Sequence, residues 1–289
     1  MPEYRLIDDI IKPYMRETRE DRKPSTRETE MSNFNQLHGF FGGMLLSEVT
    51  GAVVREYRQT RIVLDGVQPV TAKRELSLAS KACNYAIKEW DWDIHNPFEK
   101  RTISDKDRKK EKPRGVREIT KDEEKTILTA ARTRGGEYWD TIADILEFAL
   151  NTGLRMSEIL NLSWWQLDGD LINMTPETQK SNAHGDCVMN QRALEIVARR
   201  PNDAELVFGY EGATIHRRKV QRAIEELRKQ TGIKFVFSDT RKTLGQRILN
   251  AGFEIEDVQY QLRHSDKRTT QKYYLKAPHD RLRNAVGSI

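Results

Sequence analysis

The chain has 289 residues, 37% of them hydrophobic and 32% charged, with a net charge of +5. That length permits two domains, and the modest positive excess makes partner choice depend on where the basic residues cluster. Two cysteines, Cys83 and Cys187, build neither a disulfide framework nor a four-ligand zinc site, and a reducing compartment fits them.

The first residues, MPEYRLIDDIIKPYM, interleave acids and bases with apolar positions and do not read as a signal peptide. No apolar run approaches bilayer length, so a cytosolic protein without a membrane partner is expected. Ile7, Ile10, Ile11 and Tyr14 recur at helical spacing and predict an opening amphipathic helix. Phe34, Leu37 and Phe41 predict a second. Thr50 reads as the N-cap of a third, TGAVVREYRQTR, and Thr71 as the N-cap of the fourth, TAKRELSLASKACNYAIKEW. In that fourth helix Leu78, Ala82, Tyr85 and Ala86 share a face, which points to a four-helix core.

The pattern changes at Asn96-Pro97. From Glu99 to Glu118 there is no apolar period, and nine Lys/Arg stand against five Asp/Glu. The stretch reads as a solvated basic linker, serving either solubility or contact with a polyanion. Thr120 and Glu123 then form a capping box that restarts the fold. The expected domains are thus 1–98, a linker 99–119, and 120–289.

The second half is mixed. Ile142, Ile145, Leu146 and Ala149 mark a helix ended by Thr152-Gly153, and another starts near Arg155. SWWQLD, DLINMT and GDCVMN read as short strands, the last two joined by a turn around Ser181–Gly185. Val220, Ile224 and Leu227 mark a helix whose outer face carries Arg217, Arg218, Lys219, Arg222 and Arg228. Leu244, Ile248 and Leu249 mark the next, closed by Gly252; Ile255, Val258 and Leu262 mark one more; the segment from Thr269 is expected to be helical. The fold class is mainly α with a small β-sheet, an all-helical domain followed by an α+β one.

The sequence has no G-x-x-x-x-G-K-[ST] loop, no G-x-G-x-x-G, no H-E-x-x-H, no C-x-x-C and no G-x-S-x-G. No cofactor and no metal are expected. Four stretches carry the chemistry instead: TGLRMSEI (152–159), TQKSNAH (178–184), SDTRKT (238–243) and LRHSDKRTTQKYY (262–274). Together, in this order, they resemble the catalytic domain of the tyrosine recombinases, the phage-type integrase family. Tyr273 follows His264 at the family's distance of nine positions. The resemblance covers residues 142–276 and extends more loosely over residues 30–98, which look like the family's DNA-core-binding domain. The chain opens directly on that domain, and the absence of a separate arm-binding domain fits either a simple recombinase or a truncated one.

Cleaving a phosphodiester without a metal needs a nucleophile, a proton for the leaving oxygen and positive charge around the transition state. Arg155 and Arg241 offer planar forks of donors to nonbridging oxygens, and in a desolvated site one such donor is worth about 3 kcal/mol of barrier. By resemblance they are the two catalytic arginines. Arg155 also has the spacing for an ion pair with Glu158, and both roles hold if Glu158 orients the guanidinium. Resemblance makes Lys180 the general acid to the leaving 5′ oxygen, with an ordinary hairpin lysine as the alternative; His184 reads as a surface or backbone-facing group. His264 is the donor to phosphate or to the tyrosine oxygen, and Tyr273 the nucleophile. A phenol with a free pKa of about 10 needs a cationic pocket to react. Tyr274 would point about 100° away on a helix and is the rival.

Two positions depart from the family. Ser238 stands where a histidine precedes the second arginine by three positions; serine donates a hydrogen bond but shuttles no proton near neutral pH. Lys242, beside Arg241, is a candidate substitute. Arg263 stands where the family commonly has glycine. The resemblance implies a site-specific recombinase working through a 3′-phosphotyrosyl link, without metal or ATP, in phage or mobile-element integration or excision. Double-stranded DNA, a homotetramer on DNA, accessory DNA-bending proteins and a place at the nucleoid follow from it. The competing readings are a DNA-binding protein that keeps the fold with impaired catalysis, and a strand-passing relaxase of the type IB topoisomerase kind.

Overall fold

The computed structural model describes residues 3–99, 117–174, 185–210 and 213–263. The chain divides into two compact units, Met1–Pro113 and Arg114–Ile289.

The first unit is helical. A π-helical turn, Leu6–Ile11, runs into α1 (Lys12–Glu17), and it buries Leu6, Ile7, Ile10 and Ile11 together. Next come α2 (Pro24–Phe41), α3 (Gly51–Gln59) and α4 (Pro69–Glu89). Thr50 caps α3 as its position predicts, accepting from the Val53 N–H at 3.4 Å. Thr71 does not cap α4. The helix starts two residues earlier, with Pro69 in its first turn. Proline there is pre-set to the helical φ and lacks an N–H that would go unpaired anyway, so it outcompetes a threonine cap. Phe41, Tyr57 and Phe98 interlock at the centre, with ring centroids 5.1 Å apart for Phe41–Tyr57 and 6.0 Å for Phe41–Phe98. Two buried polar clusters are well bonded. Asn96 donates to Ser80 and to Asn84, and its oxygen accepts from the Phe98 N–H. Arg61 grips both oxygens of Glu75, at 3.0 and 2.8 Å, while the Tyr57 hydroxyl donates to the same carboxylate at 2.6 Å.

The second unit is built around one helix. Thr120 and Glu123 form the predicted capping box at the head of α5 (Lys121–Arg132). The next helix, α6 (Glu137–Thr152), is buried almost throughout from Thr141 to Thr152. Against it pack α5, α8 (Gln191–Ala198) and α10 (Phe237–Asn250). Two carboxylates on α6, Asp144 and Glu147, lie inside and are covered by Arg132, Arg192, Arg199 and Arg200. The short α7 (Met156–Leu160), then α9 (Arg217–Thr231) and α11 (Ile255–Leu262), complete the helices of the described residues. On α9, Val220, Ile224 and Leu227 face inward, while Arg217, Arg218, Lys219 and Arg222 are exposed and Arg228 is half-buried.

Three strands form an antiparallel sheet in chain order: β1 (Leu167–Asp168), β2 (Leu171–Ile172) and β3 (Cys187–Val188). Its register pairs Leu167 with Ile172, and Ile172 with Cys187. The SWWQ half of the first expected strand is a 3-10 turn, Trp164–Gln166, because the Gln166 side chain folds back to accept from the Ser163 N–H at 3.0 Å. Most of the expected turn at Ser181–Gly185, and the whole segment from Thr269, lie outside the described residues. The pattern reading passed over α8, although Asn190 caps it through the Ala193 N–H at 2.9 Å. It also passed over a second hairpin, β4 (Gly209–Tyr210) with β5 (Ala213–Thr214). Two-residue strands are too short to show a period. Among the described residues no helix is long and apolar enough to cross a membrane.

Candidate active site

The site grows from the end of α6. Gly153 closes that helix in the left-handed region, with φ 70°, and its N–H donates to the Ala149 carbonyl at 3.0 Å. Glycine is required twice over. A Cβ there would meet strain at that φ and would stand 2.5 Å from Leu262 Cδ2 and 3.0 Å from Leu244 Cδ2. The close approach lets α10 and α11 reach the turn.

Arg241, on α10, donates through Nη1 to the Gly153 carbonyl at 2.6 Å. Two residues beyond that carbonyl, Arg155 begins α7 in an extended conformation, its side chain 29% exposed. Arg241, far along the chain from Arg155, thus bonds the helix-ending turn from which Arg155 emerges. The base of α10 is fixed independently: Thr243 accepts from the Ile119 N–H at 2.8 Å, and Arg247 donates to Glu124 at 2.6 Å.

Glu158 orders Arg155. Its Oε2 accepts from the Arg155 N–H at 2.8 Å, and its Oε1 accepts from Arg155 Nη1 at 2.7 Å. The predicted ion pair is real, and it joins side chain and backbone of the same arginine. A third partner was not visible in the spacing: Arg263 Nη2 donates to Glu158 Oε2 at 2.7 Å. The carboxylate thus lies between two guanidinium groups. Burial pushes the Glu158 carboxyl up, but Arg263 and then the Arg155 N–H and guanidinium outweigh it and hold the group below its usual value.

Arg263 ends α11 in the left-handed region, with φ 49° and ψ 51°. A side chain in that conformation costs about 1–2 kcal/mol of backbone strain, which glycine would avoid. Here a charge-assisted bond to a buried carboxylate offsets it. Just before it, Gln261 ties three elements together. Its amide donates to the Thr152 carbonyl at 3.1 Å and the Val188 carbonyl at 2.9 Å, and its oxygen accepts from the Val188 N–H at 3.2 Å. Strand β3, the end of α6 and α11 are thereby locked together. Cys187 packs in the same corner; burial holds its thiol above the ordinary value, with Arg263 and Arg241 opposing. Neither Gln261 nor Cys187 carries a sequence signal that would have placed it here.

Of the predicted site residues, the structure brings Arg155 and Arg241 to the Gly153 turn. Ser238 is exposed, one helical turn before Arg241 on α10. Lys242, the candidate substitute for the missing histidine, donates to the buried Asp239 carboxylate at 3.2 Å. Lys180, His184, His264, Tyr273 and Tyr274 lie outside the described residues. Among the described residues no group of three or more His, Cys, Asp or Glu is arranged to hold a metal ion.

A helical unit followed by a mainly helical unit with a small antiparallel sheet is the fold of solved integrases. The Tn1549 transposon integrase, solved in complex with transposon right end DNA, matches with a TM-score of 0.73 and 18% identity over 99% of each chain. A lambda integrase dimer bound to a COC′ core site matches with a TM-score of 0.72 and 17% identity, over 91% of this chain and 75% of that one. The sequence then decides the family. The phage integrase family model matches residues 117–279, more than half of the chain, and the protein belongs to that family. The integrase of Salmonella phage P22 is 30% identical over 139 residues, 43% of this chain and 36% of the relative. The tyrosine recombinase XerC of Corynebacterium glutamicum is 28% identical over 156 residues, 51% of this chain and 50% of the relative. The chain thus spans at most half the length of these curated relatives.

Proposed function

We propose that this protein is a site-specific DNA recombinase that cleaves and rejoins strands through a 3′-phosphotyrosyl intermediate. The observation that carries the reading is Arg241 bonded to the Gly153 turn from which Arg155 emerges two residues later, in a chain of the phage integrase family. Two guanidinium groups there suit the nonbridging oxygens of one phosphate. In the proposed reaction Tyr273 releases its phenolic proton to solvent, its oxygen attacks phosphorus, and the bond from phosphorus to the 5′ oxygen breaks. That oxygen takes a proton from Lys180, while His264 donates to the phosphate or the tyrosine oxygen. A 5′-hydroxyl of the partner strand then attacks the phosphotyrosine and restores Tyr273. The bond energy is conserved, so the scheme calls for neither ATP nor a metal ion.

Several partners belong to the same reading. The basic stretch 99–119 and the exposed face of α9 suit contacts to duplex phosphates, which makes binding steeply salt-dependent. Lambda integrase has been solved as a tetramer bound to a Holliday junction. Exchange between two duplexes needs four active sites, and we extend a homotetramer on DNA to this chain. The phage P22 and Tn1549 relatives favour integration or excision of a phage or mobile element, at the nucleoid of the host and with accessory DNA-bending proteins.

The rival reading is a DNA-binding member with impaired catalysis. Ser238 favours it, since no imidazole stands three residues before Arg241 and Lys242 is held by Asp239. The test separates the two. Duplexes enriched by binding from a random-sequence pool are nicked across the bound segment, and covalent protein–DNA adduct is measured after denaturation. Adduct that disappears in Tyr273→Phe supports the recombinase. Tight binding without adduct supports the rival, and relaxation of supercoils without sequence preference supports a topoisomerase.

A further inference from the structure

We infer that Arg263 is a positioning residue for strand cleavage: it occupies the inner side of the Glu158 carboxylate and so leaves the Arg155 guanidinium with surplus positive charge for a DNA phosphate. The inference rests on the recombinase reading of this same site.

The charge count comes first. Arg155 and Glu158 alone form a neutral pair, and a guanidinium matched by its own carboxylate attracts a phosphate weakly. With Arg263 the group carries one net positive charge. The Arg263 and Glu158 side chains are each 1% exposed, whereas Arg155 is 29% exposed. The open side of the group, where an anion can approach, is therefore Arg155.

The bond geometry agrees. Arg155 takes one carboxylate oxygen through its side chain, at 2.7 Å to Oε1. Oε2 is shared between the Arg155 N–H and Arg263 Nη2. With its second oxygen held from inside, Glu158 engages Arg155 through Nη1, and the remaining edge of the fork is left for another acceptor. Arg263 gains nothing from its backbone, since φ 49° is a conformation that favours glycine. Its side chain is nonetheless enclosed, stacked beside Gly185, whose added Cβ would lie 3.7 Å from Arg263 Cγ. A strained, buried arginine with its charge directed at Glu158 is what the positioning role requires.

The test reads duplex binding and cleavage in the full chain for Arg263→Gly, Arg263→Lys, Arg155→Ala, Glu158→Gln and the double variant Arg263→Gly/Glu158→Gln. Thermal midpoints are recorded, and rates are taken per folded molecule. In Arg263→Gly, the slope of log affinity against log salt should fall by about 0.9, as for one lost phosphate contact and as in Arg155→Ala. Single-turnover adduct formation on the nicked duplex should fall at least tenfold. Arg263→Lys, which keeps the charge, should recover to within about fivefold of the parent. In the Glu158→Gln background, Arg155 has no anion to neutralise it, so Arg263→Gly should change slope and rate less than twofold. A merely structural arginine would lower the thermal midpoint without moving the slope, and would act equally in both backgrounds; that result overturns the inference. If the parent forms no Tyr273-dependent adduct, the recombinase reading fails while the salt slopes still decide the role of Arg263. Absence of salt-dependent duplex binding overturns both.

Discussion

Glu75 and Glu158 are both buried carboxylates held by arginine, one in each unit, and they differ in what is left over. Glu75 meets a single arginine as a two-pronged fork, with the Tyr57 hydroxyl filling the remaining space. The buried pair is neutral and leaves no surplus positive charge, and Arg61 is also tied to the half-exposed Asp65 at 2.7 Å. Glu158 meets two arginines, one enclosed and one facing out. The first arrangement closes on itself and can only hold helices together. The second is unbalanced by design of its geometry, and an unbalanced cation at the end of a helix is a place for an anion to bind.

The largest test of this contrast is to remove each carboxylate. Glu158→Ala leaves Arg263 enclosed without a counter-charge and should destabilise the second unit by about 3–5 kcal/mol, read from urea unfolding. Glu75→Ala strands the Tyr57 hydroxyl, but Arg61 keeps Asp65, so a loss of about 1–3 kcal/mol is expected. Equal losses would erase the distinction between the closed and open pairs.

Gly153 tests whether the open site depends on the close approach at its turn. Gly153→Ala combines a left-handed backbone with a clash against Leu262 and should cost about 2 kcal/mol or more. Because α10 and α11 must back away, adduct formation should fall more than the stability loss alone accounts for.

Acid sharpens the same comparison. The Glu158 carboxyl is held below its usual value in the folded protein, so its stabilisation is complete at pH above the unfolded carboxylate value of about 4.3. It should be lost as pH falls through the lower folded value. Urea midpoints measured from pH 7 down to pH 3 should show that acid limb, and Glu158→Gln should flatten it. An unchanged limb would mean that other carboxylates, Glu147 among them, govern the acid response.

The smallest effect separates the two threonines read as caps. Thr120→Ala should cost about 1 kcal/mol, since Thr120 accepts from the Glu123 N–H at 3.2 Å. Thr71→Ala, inside the first turn of α4, should stay within about 0.5 kcal/mol. Thermal midpoints of the two variants compare them directly.

Much of this was legible along the chain. Helical spacing placed the stripe on α9 and the apolar face of α4, because burying one face of a helix demands a 3.6-residue period. The Arg155–Glu158 pair was legible too, since a helix-capping residue and the third residue after it are local neighbours. The start of α4 was misplaced because two start signals, Pro69 and Thr71, sit within three residues and only one can win. The β4–β5 hairpin was too short to carry a period.

What the sequence by itself determined are the features that depend on neighbours in the chain: the helix stripes, the Gly153 stop, the caps at Thr50 and Thr120, and the order of the four motifs. The tertiary structure alone decided which distant groups share a charge. Arg263 lies 105 positions from Glu158, and Gln261 reaches a carbonyl 109 positions away. No periodicity encodes such pairs, because they are selected by what the packed helices leave unpaired. A buried carboxylate must find its counter-charges in space, wherever the chain happens to supply them.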